Sequence, residues 1–129
     1  MVEGVKKIIM PEDVERWRRS VGWSFEDRCE LKSIISKEAN GSNDLSLGMF
    51  KVAPGDVHLL HHHTKHTEIY YILSGTASIT EDDKEIEAKP GTAIYMPPDT
   101  KHRVLNNGKT DLLGIWIFNT PFSTRYRGI

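Results

Sequence analysis

The sequence predicts an all-β chain folded as a sandwich or barrel of short antiparallel strands. Two observations carry that reading. Short runs rich in Val, Ile, Leu, Tyr and Phe recur along the whole chain, and such runs suit the pleated, half-buried surface of a sheet. Between them stand turn dipeptides at Asn40-Gly41, Pro54-Gly55, Ser74-Gly75, Asp82-Asp83, Pro90-Gly91 and Asn107-Gly108, which supply the special backbone angles that reverse a strand. Many short strands at this spacing indicate sheets packed face to face or closed on themselves.

Taken in order, Val5–Met10 reads as a strand. The next segment, from Pro11 to Arg19, reads as a short N-terminal helix, with proline and acids in its first turn and arginines in its last, as the helix dipole favours. Strands then follow over Glu30–Ser36, Leu45–Val52, Val57–Leu60, Glu68–Leu73, Thr76–Glu81, Glu85–Ala88, Thr92–Tyr95, His102–Asn106 and Asp111–Phe118. Phe50, Met96, Trp116 and Phe118 are expected in the core.

Length and charge narrow the function. A chain of 129 residues fits one domain over 1–129, on the usual scale of about 100–200 residues each. With 17 basic and 18 acidic residues, nothing argues for nucleic acid or anionic lipid as a partner. No apolar run approaches the roughly 18 residues of a membrane span. The opening MVEGVKKIIM has too short an apolar block for a signal peptide, so a cytoplasmic location is expected. The lone Cys29 has no cysteine partner for a disulfide or a thiolate metal site.

The stretch GDVHLLHHHTKHTEIYYILSG, from Gly55 to Gly75, holds the chemistry. Side chains alternate along a strand, so His61 and His63 point to one face. Glu68 lies an odd number of residues further on, and the polar Thr64–Thr67 reads as a turn that resets the parity and returns Glu68 to the same interior. His102 arrives later, on another strand after the Pro-Pro-Asp turn. Three imidazoles and one carboxylate suit a single divalent transition metal ion, Fe, Mn, Ni, Zn or Co. Four protein ligands around an octahedral ion leave two positions for water or substrate.

These residues resemble both sequence motifs of the cupin superfamily. The pattern G-x5-H-x-H-x4-E-x6-G is met at Gly55, His61, His63, Glu68 and Gly75. A second, G-x5-P-x-G-x2-H-x3-N, is met at Gly91, Pro97, His102 and Asn106, with Asp99 where the pattern has glycine. Aspartate tolerates left-handed backbone better than most residues, so the turn should survive. The resemblance spans about Leu45 to Phe118. It implies a cupin jelly-roll barrel (double-stranded β-helix), with His61, His63, Glu68 and His102 as the metal ligands.

Other residues have two readings each. Tyr70 shares the face of Glu68 and is placed to donate or accept a proton at a metal-bound substrate, or it is an ordinary strand tyrosine. His62 should face outward between two inward ligands, and His58 and His66 are expected at the surface or behind the ligands. Trp17, Trp23 and Phe25 are candidates to cover an apolar face. The tail from Thr120 to Ile129 either crosses the barrel mouth, where Arg125 or Arg127 meets an anionic substrate, or lies on the surface.

The resemblance implies a metal-dependent enzyme acting on a small oxygen-bearing molecule, as a dioxygenase, decarboxylase, lyase or isomerase. The alternative is a non-catalytic cupin that binds or senses a metal or small ligand. Cupins commonly pair, so a homodimer is expected.

Overall fold

In the computed structural model, residues 4–19, 27–61 and 65–121 are described, with the side chains of Leu60 and His61 left aside. The strands are β1 (Arg18–Arg19), β2 (Glu30–Ile35), β3 (Ser46–Val52), β4 (Val57–His61), β5 (Glu68–Ser74), β6 (Ala77–Glu81), β7 (Lys84–Ala88), β8 (Ala93–Met96), β9 (His102–Leu105) and β10 (Leu112–Phe118). Nine of these match strands expected from the sequence to within a residue or so, because apolar runs and turn chemistry mark their bounds. They form a six-stranded sheet in the order β1-β2-β3-β10-β5-β8 and a four-stranded sheet in the order β4-β9-β6-β7. All pairings are antiparallel. Consecutive strands repeatedly change sheet, which gives the jelly-roll connectivity.

The core follows from the alternation. Along β3 and β10 every second residue is buried, placing Phe50, Val52, Leu112, Trp116 and Phe118 inside with Tyr70, Ile72, Ile79, Ile94 and Met96. Two glycines make room for large rings: a Cβ at Gly48 would strike the Trp116 ring, and one at Gly114 the Phe50 ring. Trp116 is 1 % exposed, and its buried indole N–H donates to the Met49 carbonyl at 3.1 Å, as a buried tryptophan requires.

The short N-terminal helix is not formed. Only Pro11–Asp13 turns, as a single 3-10 turn, and Arg18–Arg19 instead pairs with Glu30 and Leu31 as an edge strand. The ring of Trp17 lies against two cations, with Lys32 Nζ at 4.9 Å and Lys51 Nζ at 4.6 Å from its centroid. Pairing and cation–π contacts with β2 and β3 thus outweigh a local helical preference worth only tenths of a kcal/mol per residue. Nor is Val5–Met10 a strand; the Lys6 backbone exchanges hydrogen bonds with Asn40 through its N–H and its carbonyl. An unforeseen one-turn helix, α1 (Lys37–Asn40), is capped by the Ser36 side chain and closed by Gly41 at φ 84°. Trp23, Phe25, Arg125 and Arg127 lie outside the described residues.

Two turn residues place the later motifs. Asp99 adopts φ 70°, the left-handed geometry expected of it in place of glycine. Gly75 has φ 84°, and a Cβ there would sit 2.5 Å from the Asp111 carbonyl. Among the described residues no helix is long and apolar enough to cross a membrane.

Candidate metal centre

Three strands deliver the described part of the site. Glu68 opens β5 and Tyr70 follows on the same buried face. Trp116 of β10 pairs with Tyr70, and Phe118 with Glu68, so the carboxylate begins deep among aromatic rings. His102 opens β9, after the turn in which the Thr100 hydroxyl and N–H both bond to the Pro97 carbonyl. Its backbone pairs with that of His61 at the end of β4, so two of the expected ligands occupy facing register positions. The side chain of His61 and all of His62 and His63 lie outside the described residues.

Glu68 Oε1 and His102 Nε2 stand 3.2 Å apart, with the residues 3 % and 1 % exposed. The tautomer follows from the opposite side of the ring. His102 Nδ1 lies 3.2 Å from the Thr100 carbonyl, which only accepts, so Nδ1 carries the proton. In the neutral ring Nε2 then turns a lone pair toward the carboxylate. Two electron-rich atoms held that close, away from water, fit a cation between them. A histidine that gives its far N–H to a carbonyl is also the usual form of a metal-binding imidazole. Among the described residues no three histidine, cysteine, aspartate or glutamate side chains form a group that could hold a metal ion; Glu68 and His102 are the two expected ligands whose side chains are described and brought together.

Tyr70 belongs to the same wall. Its ring meets His102 edge-on at 5.6 Å and Phe50 at 4.7 Å between centroids. Burial, reinforced by the Glu68 charge, pushes its phenol well above the ordinary value of 10.0, so the hydroxyl keeps its proton at neutral pH. It can donate a proton or a hydrogen bond there and cannot act as a resting base. Asn106, the last motif residue, serves the scaffold instead. Its amide donates to the Val52 and Thr110 carbonyls and accepts from the Gly108 N–H, so it ties turns together and does not face a ligand.

One buried pair narrows the sequence expectation. Of the two places expected for His58, at the surface or behind the ligands, the surface is excluded: the residue is 8 % exposed and lies inside, with Nδ1 3.0 Å from Asp27 Oδ2. Asp27 also accepts the N–H groups of Cys29 and Leu59. Burial alone would raise the Asp27 pKa; the His58 hydrogen bond and charge, with the two backbone N–H groups, outweigh it and leave the carboxyl below its usual 3.8. That part of the stability is present at neutral pH and is lost only as pH falls below 3.8 through the lowered value. The neighbouring Cys29 thiol is pushed well above its usual 9.0 by burial and by the Asp27 and Glu68 charges, which makes it an inert core group. A signal for the pair exists in the sequence: Leu59-Leu60 interrupts the alternation of β4, as a bulge does.

The chain is 40 % identical over 78 residues to an uncharacterized protein of Methanocaldococcus jannaschii, covering 60 % of this chain and 62 % of that protein. It is 29 % identical over 112 residues to the oxalate-binding protein of Thermotoga maritima, covering 87 % and 93 % of the two chains. In structure it is similar to KdgF from Halomonas sp., with a TM-score of 0.72 and 20 % identity over 92 % of this chain and 96 % of that one. The family model described as the Cupin domain matches residues 48–118, from the middle of β3 to the end of β10, and the chain is accordingly a member of the cupin family.

Proposed function

We propose that the protein is a metal-dependent cupin acting on a small oxygen-bearing organic molecule, with one divalent transition metal ion (Fe, Mn, Ni, Zn or Co) held by His61, His63, Glu68 and His102. The observation that carries this is the buried approach of Glu68 Oε1 to His102 Nε2 at 3.2 Å, with the His102 Nδ1 proton committed to Thr100. A divalent ion supplies Lewis acidity, polarising a carbonyl or carboxylate oxygen of the bound molecule. The chain's own contribution is orientation and dryness. Thr100 fixes the His102 ring, while Phe50, Trp116, Phe118 and Met96, all buried, wall the interior and strengthen every electrostatic contact within it.

In this reading Tyr70 holds a proton at its hydroxyl for the substrate, on the face it shares with Glu68. Tyr70→Phe keeps the ring packing and removes only the hydroxyl that carries that proton. Turnover of whichever ketoacid, diketone, sulfonium or sugar substrate proves active should fall by about 100-fold or more, with metal content unchanged. Unaltered turnover would return Tyr70 to the role of a packed strand residue.

A second reading, a cupin that binds a metal-chelating ligand without converting it, is favoured by the Thermotoga maritima relative, which is named for oxalate binding. Calorimetric binding of oxalate to the metal-loaded chain with no turnover across that panel would select it. A homodimer is the expected cover for Tyr71, Leu73 and Tyr95, exposed on the outer faces of β5 and β8. Light scattering that gives the mass of one chain would remove that expectation.

A further inference from the structure

In β4, Val57 and His58 pair with Leu105 and Val104 of β9, but the next pair is His61 with His102. Three steps along β4 therefore run against two along β9, the count of a β-bulge with one extra residue. In an unbroken strand, positions three apart face opposite sides. Here the extra residue restores the match, so that His58 and His61 both stand opposite the buried row of β9, Val104 and His102.

A bulge leaves part of its backbone outside the ladder, and that backbone must find another partner. The Leu59 N–H donates to Asp27 Oδ2 at 3.2 Å. The same carboxylate takes His58 Nδ1 at 3.0 Å, immediately before the irregularity. Asp27 is delivered by the segment lying along the other edge of β4, where the Arg28 N–H donates to the Val57 carbonyl at 3.0 Å. Its Oδ1 accepts the Cys29 N–H at 3.1 Å, which fixes the carboxylate's own rotamer in an Asx turn. Asp27 is 1 % exposed, so nothing in solvent substitutes for these bonds.

We propose that Asp27 is a positioning residue of the metal centre, whose carboxylate clasps the β4 bulge at His58 and Leu59 and so sets His61 in register with His102. The proposal rests on the metal reading above, and it adds a residue of the chain's N-terminal part, 34 positions before His61 in the sequence, that holds β4 through the His58 ring and the Leu59 N–H.

The test titrates Co(II) alone into the metal-free chain and into three variants, following visible absorption, with amide hydrogen exchange across residues 57–61 measured before metal is added. Asp27→Ala should lose exchange protection at Leu59 and bind cobalt at least about ten-fold more weakly, with altered band positions. Asp27→Asn keeps an oxygen that can accept the Leu59 N–H; it should fall between, which keeps the proposal open to refutation if the alanine variant does not fold. Val52→Ala, a core truncation in β3, should lower the melting temperature and leave cobalt affinity and bands as they are. Two results overturn the proposal: Asp27 variants with unchanged cobalt affinity and spectrum despite lost Leu59 protection, or an equal loss of affinity in Val52→Ala, which would make the effect one of general stability. A native chain that takes up no cobalt at all refutes the metal reading itself, and the positioning role with it.

Discussion

Replacing His102 with alanine is expected to weaken divalent metal binding by at least about ten-fold, the largest functional effect expected of a single change. The reason lies in how the ring is fixed. Its Nδ1 is committed to the Thr100 carbonyl, and Nε2 lies 3.2 Å from Glu68 Oε1 in a part of the barrel that water does not reach. Alanine removes one donor and leaves the Glu68 carboxylate beside a void, where its charged form is costly. Metal titration of the variant reads this directly. His62→Ala serves as the control, since the sequence alternation leads us to expect His62 to face away from the ligands on either side. An equal loss from His62→Ala would show that the facing of the histidine run is wrong.

The second large effect is on stability. Asn106 is fully buried and makes three side-chain hydrogen bonds, to the carbonyls of Val52 and Thr110 and from the N–H of Gly108. Its backbone exchanges further bonds with Gly55 and Asp56, so one residue joins the ends of β3, β4 and β9 to the loop before β10. Asn106→Ala strands the buried Val52 carbonyl, at about 1–3 kcal/mol, and removes two part-buried hydrogen bonds at about 0.5–1.5 kcal/mol each, so the expected cost is about 2 kcal/mol or more. Asn106→Asp should be at least as damaging, because a carboxylate would face two carbonyl oxygens with no proton to give. Urea unfolding measures both, and an Asn106→Ala variant within about 0.5 kcal/mol of the native chain would refute this role for the motif asparagine.

How far the sequence reveals the molecule depends on the range of the forces involved. The strands are legible because alternation and turn chemistry are local; Asp99 is the sharpest case, since a left-handed turn expected from a single residue type is found at φ 70°. The N-terminal helix fails for the opposite reason. Its signals are also local, but Arg18 and Arg19 find partners in β2, and Trp17 finds Lys32 and Lys51, contacts that only the fold creates. At the site, the facing of Glu68 and Tyr70 can be read from their spacing of two. The approach of Glu68 to His102 can be read only through the family resemblance, because nothing local specifies which strands meet. Asp27 is legible by neither route, and His58 only through the Leu59-Leu60 interruption of the alternation. The two are joined across 31 positions of sequence, a contact that only the fold creates.

The most direct test of the central claim is elemental analysis, by mass spectrometry, of the untagged chain purified without chelator, beside the His102→Ala variant. The account predicts about one transition metal ion per native chain and a clear deficit in the variant. A native chain that carries no such ion and acquires none from added Fe, Mn, Ni, Zn or Co would contradict it.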